Sequence, residues 1–138
     1  MKKILAAHDG SDAADRAMFE AITISQKFGS NLTIVSVIPN LCFTEIGTDC
    51  ETIRNLYKAE VEGILDGIKD ILKEKDIDAE TVMLEGNPAD KIVDYAKSND
   101  MDLIVIGSTG KDATERTLLG SVSSRVAANA SCSVLIVR

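Results

Sequence analysis

The chain has 138 residues, 45% of them hydrophobic and 27% charged, and its 15 Lys+Arg against 22 Asp+Glu leave a formal charge of −7. That length and balance fit one globular domain that buries a core without disulfide or metal staples, and they exclude a disordered or fibrous chain. The negative charge argues against a nucleic-acid surface, which needs clustered cations, and no apolar run approaches the roughly 18 residues of a membrane span.

Met1-Lys2-Lys3 precedes an apolar run at 4–7, too short for a secretory signal of about 7–15 apolar residues, so a cytoplasmic location is expected. That run, Ile4-Leu5-Ala6-Ala7, reads as a first strand. Ala17, Met18, Ala21, Ile22 and Phe28 then form one helical stripe, with Ser11 or Asp12 as its N-cap. A second strand is expected at 32–38, and the stretch 39–49 is irregular: a surface loop, or a flap over a ligand. Ile53, Tyr57, Val61, Ile64, Ile68 and Ile71 recur every three or four residues. They mark the longest helix, packed on the sheet or, alternatively, in a coiled coil.

A weaker strand follows at 79–84, and Asn87-Pro88 then opens a helix whose buried face is Ile92, Val93 and Ala96. Leu103-Ile104-Val105-Ile106 and Val134-Leu135-Ile136-Val137 are continuously apolar, as in parallel strands covered on both faces. Between them, 121–129 is a short helix. The alternation describes a single α/β domain over 1–138, a Rossmann-like three-layer sandwich with right-handed crossovers.

In such sheets ligands bind beyond the C-terminal strand ends, where the strand order reverses. Two ends stand out: Ala7-His8-Asp9-Gly10-Ser11 after the first strand, and Gly107-Ser108-Thr109-Gly110 after the fourth, followed by Gly120-Ser121-Val122-Ser123. Gly107 and Gly110 let the backbone bend and approach a ligand. The helix start at Gly120-Ser121 offers free N–H groups to an anion, with Ser121 and Ser123 as hydroxyl donors. From 107 onward four cations, Lys111 and Arg116 among them, face two carboxylates, a local charge of +2 against −9 for the rest. The P-loop, dinucleotide and nucleophile-elbow patterns are all absent. As alternatives, the glycines end strands and start helices without binding anything.

The spacing Gly107-x2-Gly110-x9-Gly120-Ser121, with Asp9 closing the first strand and Gly86-x-Pro88 before the third helix, resembles the ATP-binding branch of the universal stress protein family. The resemblance spans nearly the whole chain. It implies a five-stranded parallel sheet in the order 3-2-1-4-5, a homodimer, and ATP at the switch point, with Mg2+ or Mn2+. It implies that Asp9 accepts the ribose hydroxyls, that Ala7 and Val37 flank the adenine, and that Gly107, Gly110, Gly120, Ser121, Val122 and Ser123 hold ribose and phosphates. Ile106, Ser108 and His8 border the same site. Two residues depart from the pattern: His8 stands where a small or β-branched residue is usual, and Ser133 replaces a proline.

His8 and Asp9 are adjacent on an extended strand and point to opposite faces, which makes them poor partners for catalysis. No catalytic residue is expected, and no metal ligands. Cys42, Cys50 and Cys132 are odd in number and form no CxxC, so no disulfide framework or zinc knuckle is indicated, and Cys132 is expected to be a small buried hydrophobe. Glu60, Glu62, Asp66 and Asp70 are read as a solvated face. The last strand has an uncovered apolar edge, which a two-fold copy would pair or side chains would shield. Three functions remain open: an ATP-dependent stress-response regulator with an adenine nucleotide and an unidentified protein partner, a slow ATPase or autophosphorylating enzyme, or a nucleotide-free interaction module.

Overall fold

A computed structural model describes residues 1–40, 49–109 and 119–138. Five strands, β1 (Lys3–Ala7), β2 (Asn31–Pro39), β3 (Ala79–Gly86), β4 (Leu103–Gly107) and β5 (Ser133–Val137), alternate with α1 (Asp12–Phe28), α2 (Cys50–Glu74), α3 (Pro88–Ser98) and α4 (Ser121–Asn129). All strand pairs are parallel, in the order β3-β2-β1-β4-β5. The expected elements are present, with boundaries moved by one or two residues. Gly110, Lys111, Arg116, Cys42 and most of the 39–49 stretch lie outside the described residues.

Two cores sit on the two faces of the sheet. On one, Ile4 and Ala6 of β1, Ile34 and Ile38 of β2, and Leu103 and Val105 of β4 pack with Met18 of α1 and Val61 and Ile68 of α2. On the other, Leu5, Ala7, Val35, Ile104 and Ile106 pack with Ile92 of α3 and Val126 of α4. This period-2 division of apolar strands covers the sheet on both sides, and the long helix is a packed one. Glu60, Glu62, Asp66 and Asp70 are exposed on its outer face.

The α1 stripe is corrected at one position. Phe28, expected inside, is 64% exposed. A helix of 17 residues rises about 25 Å, whereas a five-residue strand covers roughly 17 Å. The last turn of α1 therefore outruns the strand it packs on.

The same end of the sheet, where β1 and β4 begin, is tied by Asp102. Its carboxylate accepts the backbone N–H groups of Lys2 (2.8 Å) and Lys3 (3.0 Å), and these two bonds hold its pKa below the usual carboxylate value. The outer strand β3 exposes Glu80, Met83 and Glu85, and Arg54 of α2 hydrogen-bonds the Glu85 carboxylate. The other outer strand, β5, carries no charged side chain between Ser133 and Val137.

Among the described cysteines, Cys132 is free and half-buried, not fully inside as expected, and burial raises its pKa. Cys50 opens α2. Among the described residues, no helix is long and apolar enough to cross a membrane.

Candidate functional site

The strand order reverses between β1 and β4, which are hydrogen-bonded neighbours with Ala6 opposite Val105. Their C-terminal ends form the mouth where this fold class binds ligands. Ala7 and Ile106 are buried on the α3/α4 face, with the half-buried Val37 of β2 packed against the same core. These three expected site residues thus share one apolar face near the mouth.

Asp9 leaves β1 exposed. One carboxylate oxygen accepts the Ser11 N–H at 3.0 Å, a local turn that leaves the group facing solvent. Ser11 then caps α1 by accepting the Ala14 N–H at 3.1 Å, so the turn after β1 runs directly into the helix.

The end of β4 is pinned by Ser108. Its N–H donates to the Val137 carbonyl (2.7 Å), and its own carbonyl accepts the Gly120 N–H (2.6 Å). The Ser123 hydroxyl lies 2.9 Å from the Ser108 carbonyl and 3.1 Å from that of Gly120. Ser123 is only 2% exposed, so its hydroxyl braces the start of α4 against β4. Ser121, by contrast, is exposed, and Val122 is half-buried. Gly107 is backed against α1, so its missing Cβ makes room for a helix and not for a ligand.

The beginning of α4 differs from the other helix starts. Ser11, Asp49 and Asn87 cap α1, α2 and α3 through their side chains, and each first turn carries at least one acid. Gly120 gives α4 no side-chain cap, and its first turn holds no acid. An anion is thus met by backbone N–H groups and the positive end of the helix dipole, with no carboxylate in competition. A phosphate fits that chemistry.

His8 takes a different direction from the apolar face. It is 6% exposed; its Nε2 lies 2.8 Å from Asp15 Oδ1, and its Nδ1 accepts the Gly10 N–H at 3.0 Å. As the strand geometry requires, it does not pair with Asp9. Sequence reasoning passed over Asp15, whose signal was a carboxylate one turn into a helix that starts four residues after the histidine. Among the described residues, no group of three or more His, Cys, Asp or Glu side chains is placed to hold a metal ion.

The model of the universal stress protein family matches residues 1–138. A universal stress protein of Methanocaldococcus jannaschii is 40% identical over 99% of this chain and 82% of its own length. The solved structure of UspA from Lactobacillus plantarum superposes with a TM-score of 0.89 at 31% identity, covering 99% of this chain and 97% of that one. Two other universal stress protein structures hold nucleotides. One, in complex with cAMP, is 26% identical with a TM-score of 0.75, covering 99% and 97% of the two chains. The other, from Archaeoglobus fulgidus with dAMP, is 25% identical with a TM-score of 0.69, covering 100% and 98%.

Proposed function

The chain belongs to the universal stress protein family, and from that premise we propose that it binds ATP at the β1–β4 mouth and acts as a nucleotide-dependent regulator in the stress response. The observation that carries this reading is the α4 start, uncapped and free of acids, at the mouth where Asp9 is exposed. A helix terminus of that kind suits the phosphates, and a carboxylate suits the paired hydroxyl donors of a ribose. The cAMP and dAMP complexes of relatives support an adenine base.

In this reading Ala7, Val37 and Ile106 form the apolar wall for the purine, and Asp9 accepts the ribose hydroxyls. Gly107, Ser108, Gly110, Gly120, Ser121, Val122 and Ser123 shape the loop around the phosphates. Of these, Ser121 offers an exposed hydroxyl, while Ser123 serves through its backbone and its brace. Mg2+ or Mn2+ would accompany the triphosphate. Phosphate binding alone specifies no hydrolysis, and no catalytic residue is assigned.

Regulation follows if ATP has different affinities for two states of the protein. We place the readout on the 39–49 stretch and on a homodimer formed through β5, recognised by a protein partner in the cytoplasm. The decisive experiment is thermal. ATP with Mg2+ at about 100 times its dissociation constant should stabilise the fold by roughly 2.7 kcal/mol. An unchanged melting temperature at millimolar nucleotide, together with no adenine nucleotide released from the purified, denatured protein, would overturn the reading.

A further inference from the structure

We propose that His8 is a positioning residue, which sets the pose of Asp9 and thereby nucleotide affinity without touching the nucleotide; the proposal rests on the binding site at the β1–β4 mouth. The ring is the chain's only histidine, and both of its nitrogens are engaged. Nδ1 accepts the Gly10 N–H, so it carries no proton in this arrangement. Nε2 therefore carries the proton of the neutral ring and donates it to Asp15. A ring used at both ends has no free nitrogen for acid–base chemistry and is suited to hold geometry.

What it holds is the turn on which Asp9 sits. Gly10 has φ +89°, a conformation natural to glycine, and a Cβ there would lie 3.0 Å from Ile64 Cδ1. The chain turns sharply just after Asp9, and His8 fixes that turn by binding the Gly10 N–H. Asp15 anchors the far side of the ring. Its own N–H donates to the Ser11 carbonyl at 3.1 Å, and Ser11 in turn binds Asp9. The circuit from His8 through Gly10, Ser11 and Asp15 fixes the turn that carries the proposed ribose-binding carboxylate. Holding such a group in its bound pose lowers the ordering cost of association.

The two ends of the ring can be separated by substitution. The Asn Oδ1 mimics the histidine Nδ1 and keeps the bond to Gly10; the Gln Nε2 mimics the histidine Nε2 and keeps only the bond to Asp15. ATP affinity of His8→Asn, His8→Gln and His8→Ala is measured by titration calorimetry, alongside melting temperature. His8→Asn should stay within about threefold of the unaltered protein, while His8→Gln and His8→Ala should bind about tenfold more weakly, the loss of one partly buried hydrogen bond.

Nitrogen-15 spectra of the lone imidazole should report a bare Nδ1 and a protonated Nε2. Equal affinity losses in the Asn and Gln variants, full affinity in His8→Gln or His8→Ala, or a protonated Nδ1 would each overturn the proposal. The Asn–Gln comparison stands even if His8→Ala fails to fold. Absence of ATP binding by the unaltered protein would instead overturn the nucleotide reading, and this inference with it.

Discussion

Gly107 and Ala13 are in backbone contact: a Cβ on Gly107 would lie 2.8 Å from the Ala13 carbonyl carbon and 3.0 Å from its Cβ. The glycine closes β4 where α1 begins, and the two segments approach closer than any side chain permits. Gly107→Ala must push helix from strand. We expect it to destabilise the fold by about 1–3 kcal/mol, measured by urea denaturation. An alanine variant as stable as the unaltered protein would show that the contact yields without cost.

Ser123 gives a prediction of opposite character. Its hydroxyl is buried between the Ser108 and Gly120 carbonyls. Ser123→Ala should cost about 0.5–1.5 kcal/mol of stability, with the Ser108 carbonyl still bound by the Gly120 N–H. ATP affinity should fall no more than about threefold, a difference under 1 kcal/mol. A large loss of affinity at unchanged stability would place the hydroxyl on the phosphates instead.

Asp9 should behave in the reverse way. The side chain is exposed and makes one local hydrogen bond, so Asp9→Ala should change the melting temperature little. It should weaken ATP binding about tenfold or more, since two ribose hydroxyls lose a charged acceptor. Calorimetric titration beside a melting curve separates the two effects.

Asp102 sets a pH dependence. Its carboxyl is held below the ordinary 3.8 by the Lys2 and Lys3 amides, so the unfolded chain binds its proton more readily than the folded one. Stability from this group is therefore present above the ordinary value and disappears as pH falls through the lowered one. Asp102→Asn should be less stable than the unaltered protein at pH 7, and the gap should narrow below about pH 3, where a carboxylate of ordinary pKa is mostly protonated. Urea midpoints at the two pH values check the sign.

The edge strand supplies a test of assembly. Leu135 on β5 is 36% exposed, and a lysine there is the kind of edge charge that blocks strand pairing. Leu135→Lys should shift the protein from dimer to monomer in sedimentation velocity. A monomeric unaltered protein would remove the dimer from the proposed function.

The strands and four helices were legible because the signals were local and redundant, whereas the sheet order came from the family resemblance. The apolar runs at 103–106 and 134–137 fit buried parallel strands, and Asn87-Pro88 marks the α3 start from sequence alone. Ala7 and Val37 were grouped by the resemblance alone, and the β1–β2 register, with Ala7 opposite Val35, is what puts them on one face. What stayed hidden depends on distances through space. The period that counted Phe28 as inward does not reveal that α1 runs past its strand. Gly107 read as ligand access because the sequence does not show Ala13 behind it. Ser123 read as a phosphate donor because nothing in a Gly-Ser-Val-Ser run says which hydroxyl turns inward. His8 was weighed against its neighbour Asp9, while its true partner, Asp15, comes into reach only once the turn at Gly10 is made.

The two rims of the sheet are not equivalent, and that asymmetry limits growth. β3 offers glutamates at 80 and 85, while β5 is charge-free. Molecules joined back to back along β5 would turn their acidic rims outward, where like charges repel a third copy. In the proposed dimer, self-association would thereby stop at a closed pair, and the apolar strand that joins it would not seed a fibre.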